Sequence, residues 1–309
     1  MRSEPIVSII VSTYEWPEAL DAVLRSLSEE DDPDFEVVVA DDGSGPGTAD
    51  VVSSWRDRFS KLVAHVWQPD DGFRLARIEN LAAREAEGEL LVFLDGDTIP
   101  RRGFLAAVRR AALPGWFLAS KRLNLSQRLS QRILENRVPA WRWSALRWLA
   151  TRPGELVSAP RPREPNRLGM LLPIRDRRRP WREGQPEFTP PYNLYGCFMG
   201  MWREDLERVN GFDMRFVGWG EEDVDLGLRL RRAGLRCGWP GPRATLLHLW
   251  HPDRIRRSNM ALLRETEAED RFEAVEGLRE LEREFVVDQL SANQIGSSGS
   301  PSELDLPPA

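Results

Sequence analysis

The sequence has few of the residues that cross-link small secreted domains. It carries only two cysteines in 309 residues, Cys197 and Cys237, which lie far apart and outside any spacing typical of metal ligands. A disulfide framework is therefore not expected, and the cysteine usage favours a reducing, cytoplasmic environment. No apolar run approaches the roughly 20 residues that a membrane-spanning helix needs. The opening Met-Arg-Ser-Glu-Pro lacks the pattern of a signal peptide, which also favours the cytoplasm.

The glycine-rich loops of two large nucleotide-binding classes are also missing. No Gly-x-Gly-x-x-Gly follows the first apolar run, which argues against a dinucleotide cofactor. No Gly-Lys-Ser or Gly-Lys-Thr loop is present, which disfavours phosphoryl transfer of the P-loop type. Since the formal net charge is −6, the overall composition gives no argument for a nucleic-acid partner.

Short apolar runs and helical patterns alternate along the first third of the chain. The apolar runs are rich in β-branched residues, as in strands that are buried on both faces. Segments with an apolar face of helical period separate them. The alternation predicts an α/β fold with a mostly parallel, Rossmann-like central sheet and helices on both faces. The predicted strands are Ile6–Thr13, Phe35–Ala40, Leu62–Trp67 and Leu91–Leu94.

Polar side chains follow three of these strands. Ser12 and Tyr14 lie at the end of the first, Asp42 follows the second, and Asp95 and Asp97 follow the fourth. Ligands of open α/β sheets bind at the carboxyl ends of the strands, so we expect these groups to converge. Carboxylate oxygens there suit Mg²⁺ or Mn²⁺, which usually completes its shell with substrate phosphates. The alternative is an Asp-Gly turn with both carboxylates in solvent.

An acid-rich segment in the second half forms another candidate site. Glu221, Glu222, Asp223 and Asp225 fall at the start of a predicted helix. A helix dipole favours carboxylates in the first turn, which is the simplest explanation. Four acids exceed what capping needs, however, and crowding of like charges can tune one of them as a general base. Trp219, flanked by glycines, is placed to stack on a sugar ring.

The motifs of the first third resemble the nucleotide-binding half of family 2 glycosyltransferases, which have the GT-A fold. The resemblance implies a nucleotide-sugar donor, most simply a UDP-sugar, and a divalent metal, Mn²⁺ or Mg²⁺. The segments that carry it are Val7-Ser-Ile-Ile-Val-Ser-Thr-Tyr14, Val38-Val-Ala-Asp-Asp-Gly-Ser44 and Phe93-Leu-Asp-Gly-Asp97.

The same resemblance assigns roles to individual residues. It implies that Asp42 contacts the uracil base, that Asp95 lies toward the ribose and the metal, and that Asp97 binds the metal on the diphosphate. Ser12 and Tyr14 match positions that line the nucleotide pocket.

The segment from Asp71 to Asn80 resembles the part of the family that closes over the nucleotide. Arg74 is the first candidate for a contact with phosphate or donor sugar, and Arg77 is the second. Solvation of both arginines on a helix surface is the alternative.

The acid-rich half resembles β-1,4-galactosyltransferases and chondroitin-polymerase-like enzymes. The match covers Asn210-Gly-Phe-Asp213 and Gly218-Trp-Gly-Glu-Glu-Asp223. It implies that Asp223 is the catalytic base for the acceptor hydroxyl, and that Glu222 and Trp219 help to hold the acceptor. Glu221 stands where the family has glycine, a difference that bears on the identity of the acceptor.

Two of the three histidines, His248 and His251, follow this segment. In related enzymes a histidine after the acidic helix completes the metal site opposite the Asp-x-Asp pair. His248 is the first candidate by position, and His251 is the alternative, with a contact to diphosphate as its other role.

The predicted organisation has five parts. The middle part is rich in arginine, tryptophan and proline and is interpreted either as a lid over the cleft or as a surface that docks on anionic lipid or a phosphorylated glycan. RNA binding is a third alternative, without a recognition motif to support it. The parts are a nucleotide-sugar-binding half (1–115), a basic insertion (116–191), an acceptor-binding and catalytic half (192–255), a C-terminal helix (256–290) and a disordered tail (291–309).

These features predict an inverting, metal-dependent glycosyltransferase that moves a hexose or N-acetylhexosamine to a hydroxyl of a glycan or glycolipid, as in cell-envelope polysaccharide or lipopolysaccharide synthesis. It would act in the cytoplasm, with peripheral contact to the inner membrane face as an open alternative. Two other classes remain open, a sugar nucleotidyltransferase that releases pyrophosphate and a non-catalytic sugar-binding module. The sequence does not indicate an oligomeric state.

Overall fold

A computed structural model describes residues 6–59, 63–120, 122–150, 196–252, 259–281 and 286–288. The strands of this part are β1 (Val7–Thr13), β2 (Phe35–Asp41), β3 (Val63–Trp67), β4 (Leu90–Asp95), β5 (Thr98–Ile99), β6 (Trp116–Ala119), β7 (Arg122–Asn124), β8 (Phe198–Trp202), β9 (Arg236–Gly238), β10 (Leu246–His248) and β11 (Val286–Asp288). The helices are α1 (Pro17–Leu27), α2 (Pro46–Trp55), α3 (Leu75–Glu85), α4 (Phe104–Ala111), α5 (Gln127–Leu134), α6 (Ala145–Leu149), α7 (Arg203–Arg208), α8 (Glu222–Arg232) and α9 (Met260–Glu269).

An eight-stranded sheet in the order β11-β3-β2-β1-β4-β8-β6-β9 forms the centre of the described chain. Strands β3, β2, β1 and β4 are parallel neighbours, as the alternating pattern predicts. Strand β8 joins the sheet antiparallel to both β4 and β6, so the two halves of the chain share one sheet. Strands β5, β10 and β7 form a second, small sheet. The predicted α/β class is confirmed.

Both faces of the central sheet are covered, because successive residues of each strand point to opposite sides. Ile9 and Val11 of β1 pack in the layer that includes α1, α2, α4 and α5. Ile10 and the β4 residue Phe93 pack in the opposite layer with α3, α7 and α8. All four side chains are essentially inaccessible to solvent, which explains why the strands read as unbroken apolar runs rather than alternating ones.

The prediction that residues from 116 onward form an insertion is wrong at its start. Residues Trp116–Ala119 are strand β6 of the central sheet, and Leu129 and Ile133 of α5 are buried in the main core. Leu129 and Ile133 lie one helical turn apart, so the polar residues around them, including Arg128 and Arg132, obscure an ordinary amphipathic helix. Residues 151–195, which include the Pro-rich segments of the predicted lid, lie outside the described residues.

The tryptophans of this middle region are largely core residues. Trp148 is fully buried and Trp141 nearly so, whereas the stretch from residue 141 to 148 would expose them if it docked on anionic lipid. Their burial leaves Leu146, which is 78% exposed, as the large apolar side chain of that stretch that faces solvent. In the described ranges, no helix combines the length and the apolar character needed to cross a membrane.

The predicted C-terminal helix over 256–290 is also wrong in extent. Helix α9 ends at Glu269, and Asp270 then adopts a left-handed conformation with φ of +50°. The following segment is held by non-local hydrogen bonds, such as that from the Leu278 N–H to the Asn210 carbonyl at 3.0 Å, which compete with helix formation. Strand β11 then pairs antiparallel with β3. The predicted disordered tail from residue 291 lies outside the described residues.

Candidate active site

The carboxyl ends of β1, β2 and β4 meet at one edge of the sheet, as predicted. The strand register places Ser12 opposite Asp95 and Thr13 opposite Asp41. The Asp42 N–H donates to the Thr13 carbonyl at 3.0 Å, which fixes the loop after β2 against the end of β1. The parallel topology therefore assembles the predicted polar groups from segments that are far apart in sequence.

Asp42 is held in place at this edge of the sheet. One carboxylate oxygen accepts a hydrogen bond from the Arg74 backbone N–H at 2.8 Å, and the other accepts one from the Gln68 side-chain amide. Burial raises the pKa of Asp42, and these two hydrogen bonds counteract the effect in part. The neighbouring Asp41 turns inward to His65 Nε2, at 2.9 Å. Asp41 is thus occupied by His65, while the contact of Asp42 with a base stays a prediction.

The other predicted nucleotide-side residues lie around the same loop. Tyr14 is exposed and donates its hydroxyl to Asp70 at 3.0 Å. The Arg74 guanidinium donates to the Pro69 carbonyl at 2.7 Å and lies 3.1 Å from an Asp71 oxygen. Its buried Nε has no hydrogen-bond partner among the described residues. Arg74 is therefore tied to the loop before α3, and its contact with phosphate or sugar stays a prediction.

Three metal-ligating side chains come together beside this edge. Asp97 Oδ2 lies 3.7 Å from His248 Nε2 and 3.4 Å from His251 Nε2, and the three ligand atoms all lie within 4.8 Å of one another. Strand β10 brings His248 opposite Thr98 of β5, directly after Asp97. Both histidines thus reach the same carboxylate, whereas the sequence favours one of them. Asp95 is not part of this cluster in the described chain.

The donor set of this cluster fits a divalent ion. Asp97 Oδ1 is buried and has no hydrogen-bond partner within the described residues, as expected for an oxygen that needs a cation. The carboxylate and the substrate oxygens suit Mn²⁺ or Mg²⁺, and the two imidazoles favour a first-row transition metal over Mg²⁺. The predicted metal site is therefore geometrically reasonable with Asp97, His248 and His251 as its ligands.

The acids of the second half separate into two kinds. Asp225 is fully buried and pairs with Arg229 at 2.7 Å, while the Thr266 hydroxyl donates to its other oxygen at 2.7 Å. This carboxylate holds α8 in place and is not available for chemistry. Asp223 is partly exposed at the start of α8 and accepts hydrogen bonds from the backbone N–H groups of Val224, at 2.7 Å, and Gly196.

Glu222 and Asp223 have strongly perturbed acidities. Burial, together with the charge of Asp223, raises the pKa of Glu222 to about 8. Burial also raises the pKa of Asp223, to about 6, although its backbone hydrogen bonds oppose the shift. Glu222 Oε2 is buried and has no hydrogen-bond partner in the described part of the chain. Of two adjacent carboxyl groups with different pKa values, the one with the higher pKa can hold a proton while the one with the lower pKa acts as the base.

The loop that precedes α8 places Trp219 at the surface of the site. Trp219 is partly exposed between two glycines with positive φ, and Glu221 itself has φ of +73°. Glu221 thus occupies a left-handed position that favours glycine, the residue found there in the family it resembles. Its carboxylate accepts a hydrogen bond from the Asn259 N–H at 3.0 Å, which anchors the unusual conformation.

Glu79 is a site residue that the sequence reasoning missed. It is fully surrounded by protein, accepts a hydrogen bond from the Ser12 hydroxyl at 2.8 Å, and interacts electrostatically with Asp95 and Asp223. Burial is the main reason that its pKa lies well above the ordinary value. Its signal was its position on the apolar face of α3, three residues after the buried Ala76.

Comparison with known proteins agrees with this arrangement. Residues 8–114 match the family described as glycosyl transferase family 2, and residues 183–252 match the N-terminal domain of galactosyltransferase. The chain belongs to the family 2 glycosyltransferases. The two matches correspond to the two halves that supply the Asp-x-Asp strand end and the acidic helix, so the resemblance stated from the motifs is confirmed.

The relatives of this family 2 member are larger proteins. A validoxylamine A glucosyltransferase from Streptomyces hygroscopicus subsp. jinggangensis is 32% identical over 249 residues, which cover 75% of this chain and 52% of the relative. A chondroitin synthase from Pasteurella multocida is 25% identical over 239 residues, covering 74% of this chain and 23% of the relative. The chain thus spans about half the length of the Streptomyces relative and about a quarter of the length of the chondroitin synthase.

A solved structure supports the fold. A mannosyltransferase from Pyrobaculum calidifontis, solved in complex with GDP-Man and Mn²⁺, aligns with a TM-score of 0.52 and 23% identity, covering 82% of this chain and 59% of that one. The fold is the GT-A fold of glycosyltransferases.

Proposed function

We propose that the protein transfers a hexose or N-acetylhexosamine from a nucleotide sugar to an acceptor hydroxyl, with inversion at the anomeric carbon. The observation that carries the proposal is the convergence of the metal-ligand cluster at Asp97 and the acid pair of α8 on one sheet edge. The match of Asp42 to the base-contacting position favours UDP. The GDP-Man and Mn²⁺ bound to the Pyrobaculum mannosyltransferase, and UDP-GlcNAc bound to TarS from Staphylococcus aureus, support a nucleotide-sugar donor.

Asp97, His248 and His251 would hold the divalent ion. When bound, it supplies charge neutralisation for the leaving diphosphate. The residues of the chain then act on the acceptor. Asp223 carries a carboxylate at neutral pH because its pKa lies near 6, and it removes the proton of the attacking hydroxyl.

Burial and the charge of Asp223 raise the pKa of Glu222 above that of an ordinary carboxyl, so Glu222 takes up a proton more readily than Asp223 and can then donate as well as accept a hydrogen bond at the acceptor. Trp219, which is partly exposed, would stack on a sugar ring of the acceptor. Because the base acts directly on the acceptor, the acceptor oxygen displaces the diphosphate in one step, and inversion is the expected outcome.

The first experiment incubates the protein with a panel of nucleotide sugars and Mn²⁺ and measures free nucleoside diphosphate and pyrophosphate separately. We expect release of UDP that stops when EDTA is added. Release of pyrophosphate would instead identify a sugar nucleotidyltransferase. Binding of a sugar with no release of either product would identify a sugar-binding module.

We propose a glycan or glycolipid of the cell envelope as the acceptor class. The support is the names of the relatives, which include a chondroitin synthase, a poly(ribitol-phosphate) beta-N-acetylglucosaminyltransferase from Staphylococcus aureus and an O-antigen biosynthesis protein from Myxococcus xanthus. The validoxylamine A glucosyltransferase is named for a different molecule, validoxylamine A. Transfer assays with a polymeric glycan and with validoxylamine A as acceptors separate the two.

Peripheral contact with an anionic membrane is a further part of the proposal. It rests on the exposed Leu146 and on the exposed Arg128, Arg137 and Arg147. Co-sedimentation with vesicles that contain phosphatidylglycerol tests it, and the double variant Arg128→Glu with Arg137→Glu should lose binding. Equal sedimentation of variant and parent protein would contradict this contact.

A further inference from the structure

Three segments of the chain meet beside the small sheet, and two arginines lie where they meet. Arg101 follows β5, Arg243 precedes β10 and Trp143 precedes α6. The Arg101 guanidinium donates from Nη1 to the Pro242 carbonyl and from Nη2 to the Trp143 carbonyl, both at 3.4 Å. A Cβ added at Gly103 would lie 3.6 Å from Arg243 Cδ. The Arg243 side chain therefore lies across the loop that carries Arg101.

Arg101 is a partly buried cation that lacks a counter-ion. Within the described residues, neither Arg101 nor Arg243 forms an ion pair with a carboxylate. Arg101 Nε is buried and has no hydrogen-bond partner there, and the two carbonyl contacts are longer than the usual N–H···O distance of about 2.9 Å. Burial and the charge of Arg243 lower the pKa of Arg101 to about 10. Because a buried charge is costly without a partner, the two carbonyls leave this guanidinium poorly compensated.

The acids that contact this part of the chain are engaged by other groups. Glu29 pairs with Arg142 at 2.6 Å, and Asp31 pairs with Arg102 at 3.0 Å. Glu30 accepts hydrogen bonds from the first two backbone N–H groups of α4, at 3.1 and 3.3 Å. Each of these carboxylates thus has its own cation or N–H groups. The two arginines described above are left as an excess of positive charge.

The pair of guanidinium groups favours one kind of ligand. A neutral glycan has no charge to compensate Arg101. A carboxylate has two oxygens in one plane, which a single guanidinium can pair with completely. The oxygens of a phosphate group are arranged as a tetrahedron, so two guanidinium groups from different directions can share them. Arginine is also the side chain best suited to bind phosphate through paired, charge-assisted hydrogen bonds.

We propose that Arg101 and Arg243 form a binding site for a phosphate group, carried either by a lipid headgroup or by a soluble phosphorylated molecule. The site lies outside the metal cluster, because Asp97 precedes β5 whereas Arg101 follows it. It uses none of the arginines of the proposed membrane contact and does not depend on the transfer reaction. A lipid would bring the exposed Leu146, which follows Trp143 in the same stretch, to the membrane surface.

Calorimetric titration of the full chain with inorganic phosphate at constant ionic strength tests the site. The parent protein should bind phosphate saturably, and Arg101→Gln and Arg243→Gln should each weaken binding at least about tenfold, as expected when a hydrogen-bonded charge is lost. Arg243 is exposed, so its variant tests the site even if Arg101→Gln does not fold. Arg110→Gln removes one charge from an exposed position on α4 and should bind phosphate like the parent protein. No phosphate binding, or equal affinity in Arg243→Gln and the parent protein, would overturn the proposal.

Co-sedimentation with phosphatidylglycerol vesicles then identifies the source of the phosphate. If a lipid headgroup occupies the site, Arg243→Gln should lose sedimentation that Arg110→Gln retains, and inorganic phosphate should compete with the vesicles. If a soluble molecule occupies it, all three proteins should sediment equally while Arg243→Gln still loses affinity for inorganic phosphate. An equal loss of sedimentation in both variants, with unchanged phosphate affinity, would indicate unspecific attraction of charge and overturn the proposal.

Discussion

Replacement of Glu222 by glutamine should stabilise the protein in a pH-dependent way. Burial and the charge of Asp223 raise the pKa of Glu222 from 4.5 to about 8. The folded protein therefore holds a proton that the unfolded chain releases, and stability falls as the pH rises from about 4.5 to about 8. At about 1.4 kcal/mol for each pH unit, the penalty has a ceiling of about 5 kcal/mol. Relaxation of the protein around the buried carboxyl reduces this ceiling, and we expect a penalty of about 2 kcal/mol.

Urea unfolding of Glu222→Gln and the parent protein at pH 5 and pH 8 measures this penalty. The variant should be more stable by about 2 kcal/mol at pH 8 and nearly equal at pH 5, because the carboxyl is largely protonated in the fold at the lower pH. Glu267→Gln, on the exposed side of α9, should show no such dependence. A difference that is the same at both pH values, or a less stable variant at pH 8, would refute the electrostatic account of this site.

Three further results are expected. Asp97→Asn should weaken Mn²⁺ binding at least about tenfold in calorimetry, because one charged ligand is lost; an unchanged affinity would remove Asp97 from the metal site. Gly277→Ala should lower stability by more than about 2 kcal/mol in urea unfolding, since its Cβ would lie 1.7 Å from the Asn210 carbonyl oxygen, whereas Gly47→Ala in α2 should be neutral or stabilising. Trp219→Ala should raise the KM for the acceptor several-fold with little change in the KM for the donor; the reverse pattern would contradict stacking on the acceptor.

Much of the nucleotide half could be predicted from local pattern. The β-branched run Val7–Thr13 and the short polar segments after β2 and β4 follow directly from how a parallel sheet is built, since strands buried on both faces are apolar and loops at their ends are polar. The acidic start of α8 could also be predicted, because its four carboxylates are close together in the sequence. Its division into Asp223, which borders the cleft, and Asp225, which pairs with Arg229, was not, because the pairing depends on tertiary contacts.

Other features depend on contacts between distant segments. His251 lies at least as close to Asp97 as His248 does, because the chain after β10 stays against the Asp97 loop, where the Leu249 N–H donates to the Asp97 carbonyl at 2.9 Å. A strand pattern does not predict that contact. The helix predicted after Glu269 is replaced by a segment bonded to the turn at Asn210. The acidic neighbours of Glu79 come from the packing of α3 against the strand ends. The helical period of α3 predicts only that Glu79 lies on a buried face.

The most direct test of the mechanism is the turnover of Asp223→Asn, measured as UDP release from a UDP-sugar in the presence of Mn²⁺ and an accepted acceptor. The variant should lose on the order of 10²–10⁴-fold in kcat, the contribution typical of a general base, while calorimetry shows an affinity for UDP close to that of the parent protein. Turnover within a few-fold of the parent protein would contradict the assignment of Asp223 as the base.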